Sequence, residues 1–174
     1  MGLKNLFKKK TSDKLTVNPS NMPVALVSSQ EIETIKKSFK RMNYPIKVLV
    51  AWGEAITGNK EIRDWLIKNG YEELGMFCFA IRNEVSAQQW LIKNRCPHLV
   101  ALINGIEGDK KALDWLLRFD YEILFHMAHA SQGNVDSKHW LLQKDKIYAT
   151  LAMKMERVKD DIEFSNNDIH TINP

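Results

Sequence analysis

Four of the chain's five tryptophans stand at Trp65, Trp90, Trp115 and Trp140, 25 residues apart each time. A residue this rare does not recur at one interval without an underlying repeat, and fixed-period self-similarity marks an array of like structural units. The neighbours keep the same register. Each Trp is followed by a leucine (Leu66, Leu91, Leu116, Leu141) and then by Ile67, Ile92, Leu117 or Leu142. Ten residues before each Trp stand Ala55, Ala80, Gly105 and Ala130, and six residues before those stand Leu49, Leu74, Leu99 and Leu124. Three residues after the small residue come Gly58, Asn83, Gly108 and Gly133, followed by Asn59, Glu84, Asp109 and Asn134.

This pattern reads as a pair of helices. In the second unit Leu74, Phe77, Cys78 and Ile81 fall at i, i+3, i+4 and i+7, one face of a helix. The Gly or Asn then supplies the left-handed residue that ends a helix. The Asn or Asp after it accepts from the free N–H groups that open the next one. That second helix presents Ala87, Trp90 and Leu91, again on one face. Helices of about ten residues do not stand alone in water, so each unit must bury its apolar stripe on its neighbours, as units of a solenoid do. The tryptophan slot is expected to anchor successive second helices through its large area, and the small Ala/Gly slot to let the two helices of a unit approach closely. The repeats run 46–70, 71–95, 96–120 and 121–145.

Flanking segments read as caps and tails. Ser28 with Glu31 makes a capping box opening a helix over 28–43, with Ile32, Ile35, Phe39 and Met42 on its apolar face and Lys36, Lys37, Lys40 and Arg41 opposite. Residues 146–159 repeat the first-helix pattern with Ala149, Ala152 and Met153, and no Trp unit follows; a single capping helix is expected there. Residues 1–27 read as a flexible basic leader and linker, and 160–174 as a disordered tail. The expected fold class is therefore all-α, an αα-hairpin repeat array forming a short solenoid with capping helices, in one domain over 28–159.

Charge is uneven along the chain. Residues 1–45 carry nine Lys/Arg and three Asp/Glu, or +6, while 46–174 carry sixteen and eighteen, or −2, together the net +4. A near-neutral body argues against a broad nucleic-acid-binding face. No apolar run approaches the ~18 residues of a membrane span, and the basic N-terminus lacks the apolar stretch of a signal peptide. The two cysteines, Cys78 and Cys96, fit no metal or redox spacing and are expected as reduced thiols in a cytoplasmic protein.

The run Ala55-x-x-Gly58-Asn59-x-Glu61-Ile62-x-x-Trp65-Leu66-Ile67-x-x-Gly70 resembles the second half of an ankyrin repeat, and Gly105, Gly108, Asp109, Trp115, Leu116 and Leu117 repeat part of it. The likeness spans 46–145. The Thr-Pro-Leu-His opening of that family is absent, and a 25-residue period leaves no room for its β-hairpin fingers. What the resemblance implies is a degenerate, ankyrin-like helical repeat that binds protein.

Chemistry-bearing clusters are sparse. His126 and His129, with Asp136 and His139, have a loose metal-ligand look, but His126 occupies the slot of Ala51, Met76 and Ala101, which packing claims. Cys96-Pro97-His98 sets a thiol beside an imidazole without the third group a nucleophile needs. No motif implies an enzyme, a cofactor, a metal or a small-molecule substrate. The expected function is a non-enzymatic protein–protein interaction module, of the adaptor, inhibitor or immunity type. Its contact face would be the outward slots Glu54, Phe79, Asn104 and His129, with Thr57, Arg82, Glu107 and Gln132 one turn on; Phe79, Arg82, Asn104, Glu107 and His129 are the candidate partner-binding residues. The alternative is that basic residues 1–45 bind nucleic acid or an anionic membrane surface, with the repeats as scaffold.

Overall fold

The computed structural model describes residues 28–169, with side chains to 165. Ten helices follow in order: α1 (Ser29–Lys37), α2 (Ile46–Ile56), α3 (Lys60–Lys68), α4 (Glu72–Ala80), α5 (Val85–Lys93), α6 (Pro97–Ile106), α7 (Lys110–Arg118), α8 (Glu122–Ala130), α9 (Val135–Lys144) and α10 (Lys146–Ile169). The described residues contain no strand, and each 25-residue unit is one helical hairpin: α2–α3, α4–α5, α6–α7 and α8–α9.

The hairpin turns carry the expected signals. Gly58, Asn83, Gly108 and Gly133 all have positive φ, between 66° and 108°. Asn59, Asp109 and Asn134 each accept from backbone N–H groups two or three residues on, capping α3, α7 and α9. Glu84 makes no side-chain cap to α5.

Burial corrects the expected role of the tryptophans. Leu66, Leu91, Leu116 and Leu141 are each 0% exposed, whereas Trp65 is 47% exposed, Trp90 and Trp140 are half-buried, and only Trp115 is buried. The leucine, one residue on, points into the groove between first helices. Three of the four indoles stack on aromatic rings of an adjoining turn or helix. Trp65 stacks on Tyr71, Trp115 on Phe119 and Tyr121, and Trp140 on His126. Full burial of each leucine is worth about 1.5–3 kcal/mol, so the leucines are the repeated core contribution.

The small slot works as expected. A Cβ built on Gly105 would lie 3.0 Å from Ala128 Cβ and 3.1 Å from Leu113. A tighter approach falls at Gly75, where a Cβ would lie 2.4 Å from Ile67 Cγ1, so α3 and α4 touch nearly backbone to side chain.

Both ends differ from simple caps. Helix α1 stops at Lys37 rather than continuing to residue 43: the Ser38 and Phe39 N–H groups donate only three residues back, to Ile35 O and Lys36 O, and the Lys40 N–H leaves the helix for Arg95 O, while Arg95 Nε donates to Ser38 O. Residues 38–45 thus form a strap across the turns that join successive units. Phe39 is buried against Trp115 and Phe119, at 5.8 and 5.7 Å between ring centres. Lys36 pairs with Asp120 at 2.7 Å, while Lys40 and Tyr44 both reach the buried carboxylate of Glu73, at 2.5 and 2.6 Å. Arg95 and Asp120 hold the strap from turn positions with positive φ, where the first unit has Gly70.

At the other end α10 runs to Ile169, ten residues beyond the expected 159, and takes up much of the segment expected as a disordered tail. The left-handed stop of the other units falls at 58, 83, 108 and 133; the equivalent residue is Val158, buried, so nothing ends the helix. Helix α10 packs on α8 and α9 and also returns to α2. Lys154 meets Glu54 across that seam at 3.0 Å, and Leu151 and Lys154 lie against Gly53. First helices α2, α4, α6, α8 and α10 therefore touch in circuit, with the hairpin mates outside. Trp52, Phe77, Leu102, Met127 and Ala152, 25 residues apart, fill the centre, and Trp52 meets Phe77 edge-on at 5.0 Å.

Candidate interaction face

The expected contact residues sit near the C-terminal ends of first helices that pack side by side, so the fold does bring them into neighbouring rows. Phe79 on α4, Asn104 on α6 and His129 on α8 are all half-buried. Phe79 is not the bare aromatic its slot suggests: the Arg63 guanidinium sits 4.2 Å over its ring. His129 packs edge-on against Phe125 at 4.5 Å. Glu54 is engaged by Lys154 at the ring seam.

The second row is partly structural. Arg82 donates to Cys78 O on its own helix and, at 2.7 Å, to Ile56 O of the previous unit. Gln132 does the same at the next-but-one position, donating at 2.6 Å to Gly105 O. These side chains satisfy carbonyls left open at helix C-termini and tie neighbouring first helices together. Thr57 folds back onto its own helix, with its hydroxyl donating to Glu54 O. Glu107 is exposed. The frame of the row was legible from the period; the stapling was not, because it depends on side-chain reach between units.

The remaining titratable groups are absorbed by packing. His126 stacks on Trp140 at 4.0 Å with Nδ1 at 3.1 Å from Ser137 Oγ, and burial lowers its pKa despite Glu122. Among the described residues no three of His, Cys, Asp and Glu converge. Cys78 and Cys96 are buried free thiols, and desolvation pushes both up to about 12. Residue His98, beside Cys96 in sequence, is fully buried and stacks on Tyr121 at 4.8 Å. Of the four basic residues expected on one face of the first helix, Lys36 on α1 and Lys40 on the strap pair with carboxylates of the array, while Lys37 and Arg41 are exposed. The leader, residues 1–27, lies outside the described residues.

Among the described residues no helix is long and apolar enough to cross a membrane. No family model, curated protein or solved structure matches the chain. What the fold defines is a helical repeat protein with its ends brought together.

Proposed function

We propose that this chain is a non-enzymatic protein-binding module of the cytoplasm, contacting its partner through the strip of Phe79, Asn104 and His129, with Arg82 and Glu107 at its border. One observation supports this most. Three adjacent, packed helices present an aromatic, an amide and an imidazole at one repeat slot, each half-exposed on a backbone that Arg82 and Gln132 hold in place. Aromatic and amide groups on a rigid support lose little conformational freedom on binding, which is what interface hot spots require. The ankyrin-like reading belongs with this proposal: it rests on the Gly58-Asn59…Trp65-Leu66 run and on three hairpins whose second helix is capped by Asn or Asp. Lys36 and Lys40 being paired weighs against nucleic acid or membrane binding as the main activity, since paired lysines neutralise fewer phosphates.

A photo-reactive phenylalanine analogue placed at 104, and separately at 142 on the outer face of α9, tests this in native lysate at low and high salt. A discrete protein adduct from 104 alone, present at both salts, is the expected result. An adduct from 142 alone moves the contact to the outer helices. Retention only of nucleic acid or anionic lipid, released by salt, transfers the function to the basic N-terminal segment.

A further inference from the structure

A cleft of about 350 Å³ opens at one mouth of the ring, where the strap and the starts of α2, α8 and α10 meet. Its position follows from closure. The inner slots of the first unit, Leu49 and Trp52, face those of the fourth, Leu124 and Met127, across a seam that no fifth second helix covers. The other unit starts along the ring are filled, by buried Glu73 under Lys40 and Tyr44 and by buried His98 under Tyr121.

We propose that this cleft binds a small organic amine, an ammonium or alkylammonium group on an aromatic or short aliphatic body. The walls supply the surface for such a body: Tyr44, Tyr121 and Tyr148 give three half-buried aromatic rings, and buried Trp52, Leu49, Leu124 and Met127 lie beneath them as an apolar floor. Aromatic faces attract cations through their quadrupole, Trp and Tyr most strongly. The ionised groups of the lining are both acidic, Asp120 and Glu122, and it contains no lysine or arginine. Lys36 reaches Asp120 from the side, which leaves Glu122 as the exposed carboxylate available to an incoming ammonium. A carboxylate ligand would meet Glu122 with no lysine or arginine in the lining to offset it. The volume lies at the small end of the roughly 300–1,000 Å³ typical of ligand sites. Helices on three sides hold the walls, so little ordering is needed on binding. Trp52 also brings a reporter: its indole N–H is buried without an acceptor beside the cleft.

The test titrates the full chain with phenethylammonium and, in parallel, with 3-phenylpropionate, a similarly sized anion. The indole N–H cross-peaks of the five tryptophans are followed by NMR, and Trp52→Phe assigns the relevant one. The expected result is a saturable shift of the Trp52 peak with a Kd of about 1 mM, reasonable for so small a ligand, and no saturation by the anion. Glu122→Gln, at an exposed position, weakens the amine roughly fivefold, as loss of one screened charge does, while its urea midpoint stays unchanged. Three results would each overturn the proposal: no saturable shift up to about 10 mM amine, equal binding of the anion, or saturation that moves other indole peaks and leaves Trp52 still.

Discussion

Replacing His98 with Phe should change how stability depends on pH far more than it changes the fold. His98 is 0% exposed on α6, neither ring nitrogen has a hydrogen-bond partner, and its ring stacks on Tyr121. Burial alone lowers its pKa from 6.5 to about 3. In the unfolded chain the imidazole takes up a proton below about 6.5; in the native chain it does not until about 3. The unfolded state therefore binds more protons through this window, and stability falls as pH falls. From pH 7 to pH 5 this amounts to about 2 kcal/mol, and over the whole interval to about 5 kcal/mol at roughly 1.4 kcal/mol per unit. His98→Phe keeps the aromatic contact, removes two orphaned polar atoms and removes the linkage. Carboxylates and the four other histidines titrate alike in both proteins, so they cancel in the comparison. Urea unfolding at pH 7, 6 and 5, followed by far-UV circular dichroism, measures the gap between wild type and variant. The gap should move by about 2 kcal/mol in favour of the variant on going to pH 5. A gap constant to within about 0.5 kcal/mol would refute the picture of a neutral, unpartnered imidazole.

Other consequences are simpler to measure. Leu66→Ala should cost about 2–5 kcal/mol, as a fully buried leucine does, and more than Trp65→Ala at the neighbouring half-exposed indole; denaturant midpoints that rank them the other way would restore the tryptophan as the core anchor. Gly75→Ala should lower stability by about 1–3 kcal/mol from overpacking against Ile67, despite the roughly 1 kcal/mol gain in helix propensity; a raised melting temperature would show that α3 yields easily. Cys78 and Cys96, pushed up to about 12, have about one thiolate in 10⁴ at pH 8. Alkylation of the native protein at pH 8 should then be slow, and as fast as the unfolding control only if the thiols are in fact accessible.

Much of this fold is legible in the sequence because its signals are local. Gly58, Asn83, Gly108 and Gly133 mark the hairpin turns by a backbone angle that few other residues tolerate, and Asn59, Asp109 and Asn134 mark the next helix starts. The continuation of α10 was equally available: Val158 occupies the stop position, and a helix without a stop continues. Three features were not legible. The end of α1 at Lys37 goes with the Lys40 N–H donating to Arg95 O, 58 residues from Lys37 in the chain. The demotion of tryptophan behind leucine depends on which neighbour each one faces, and both share the same period. For the contact row, period alone identifies positions that share a slot. It does not show that Arg82 and Gln132 are spent on carbonyls of a preceding helix.

The meeting of α10 with α2 also bears on how such a chain can change. An open row of hairpins lengthens by duplicating a unit, because each added hairpin lies on the last one and disturbs nothing else. Here a sixth first helix would have to pry Lys154 from Glu54 and Leu151 from Gly53 before it found a place. Unit number is thus fixed by geometry, like the staves of a hooped cask. The same hoop covers the faces by which α2 and α10 meet, so neither offers that face for end-to-end growth into filaments. What such a hoop leaves free to vary is the identity of the side chains on its rim, not its length.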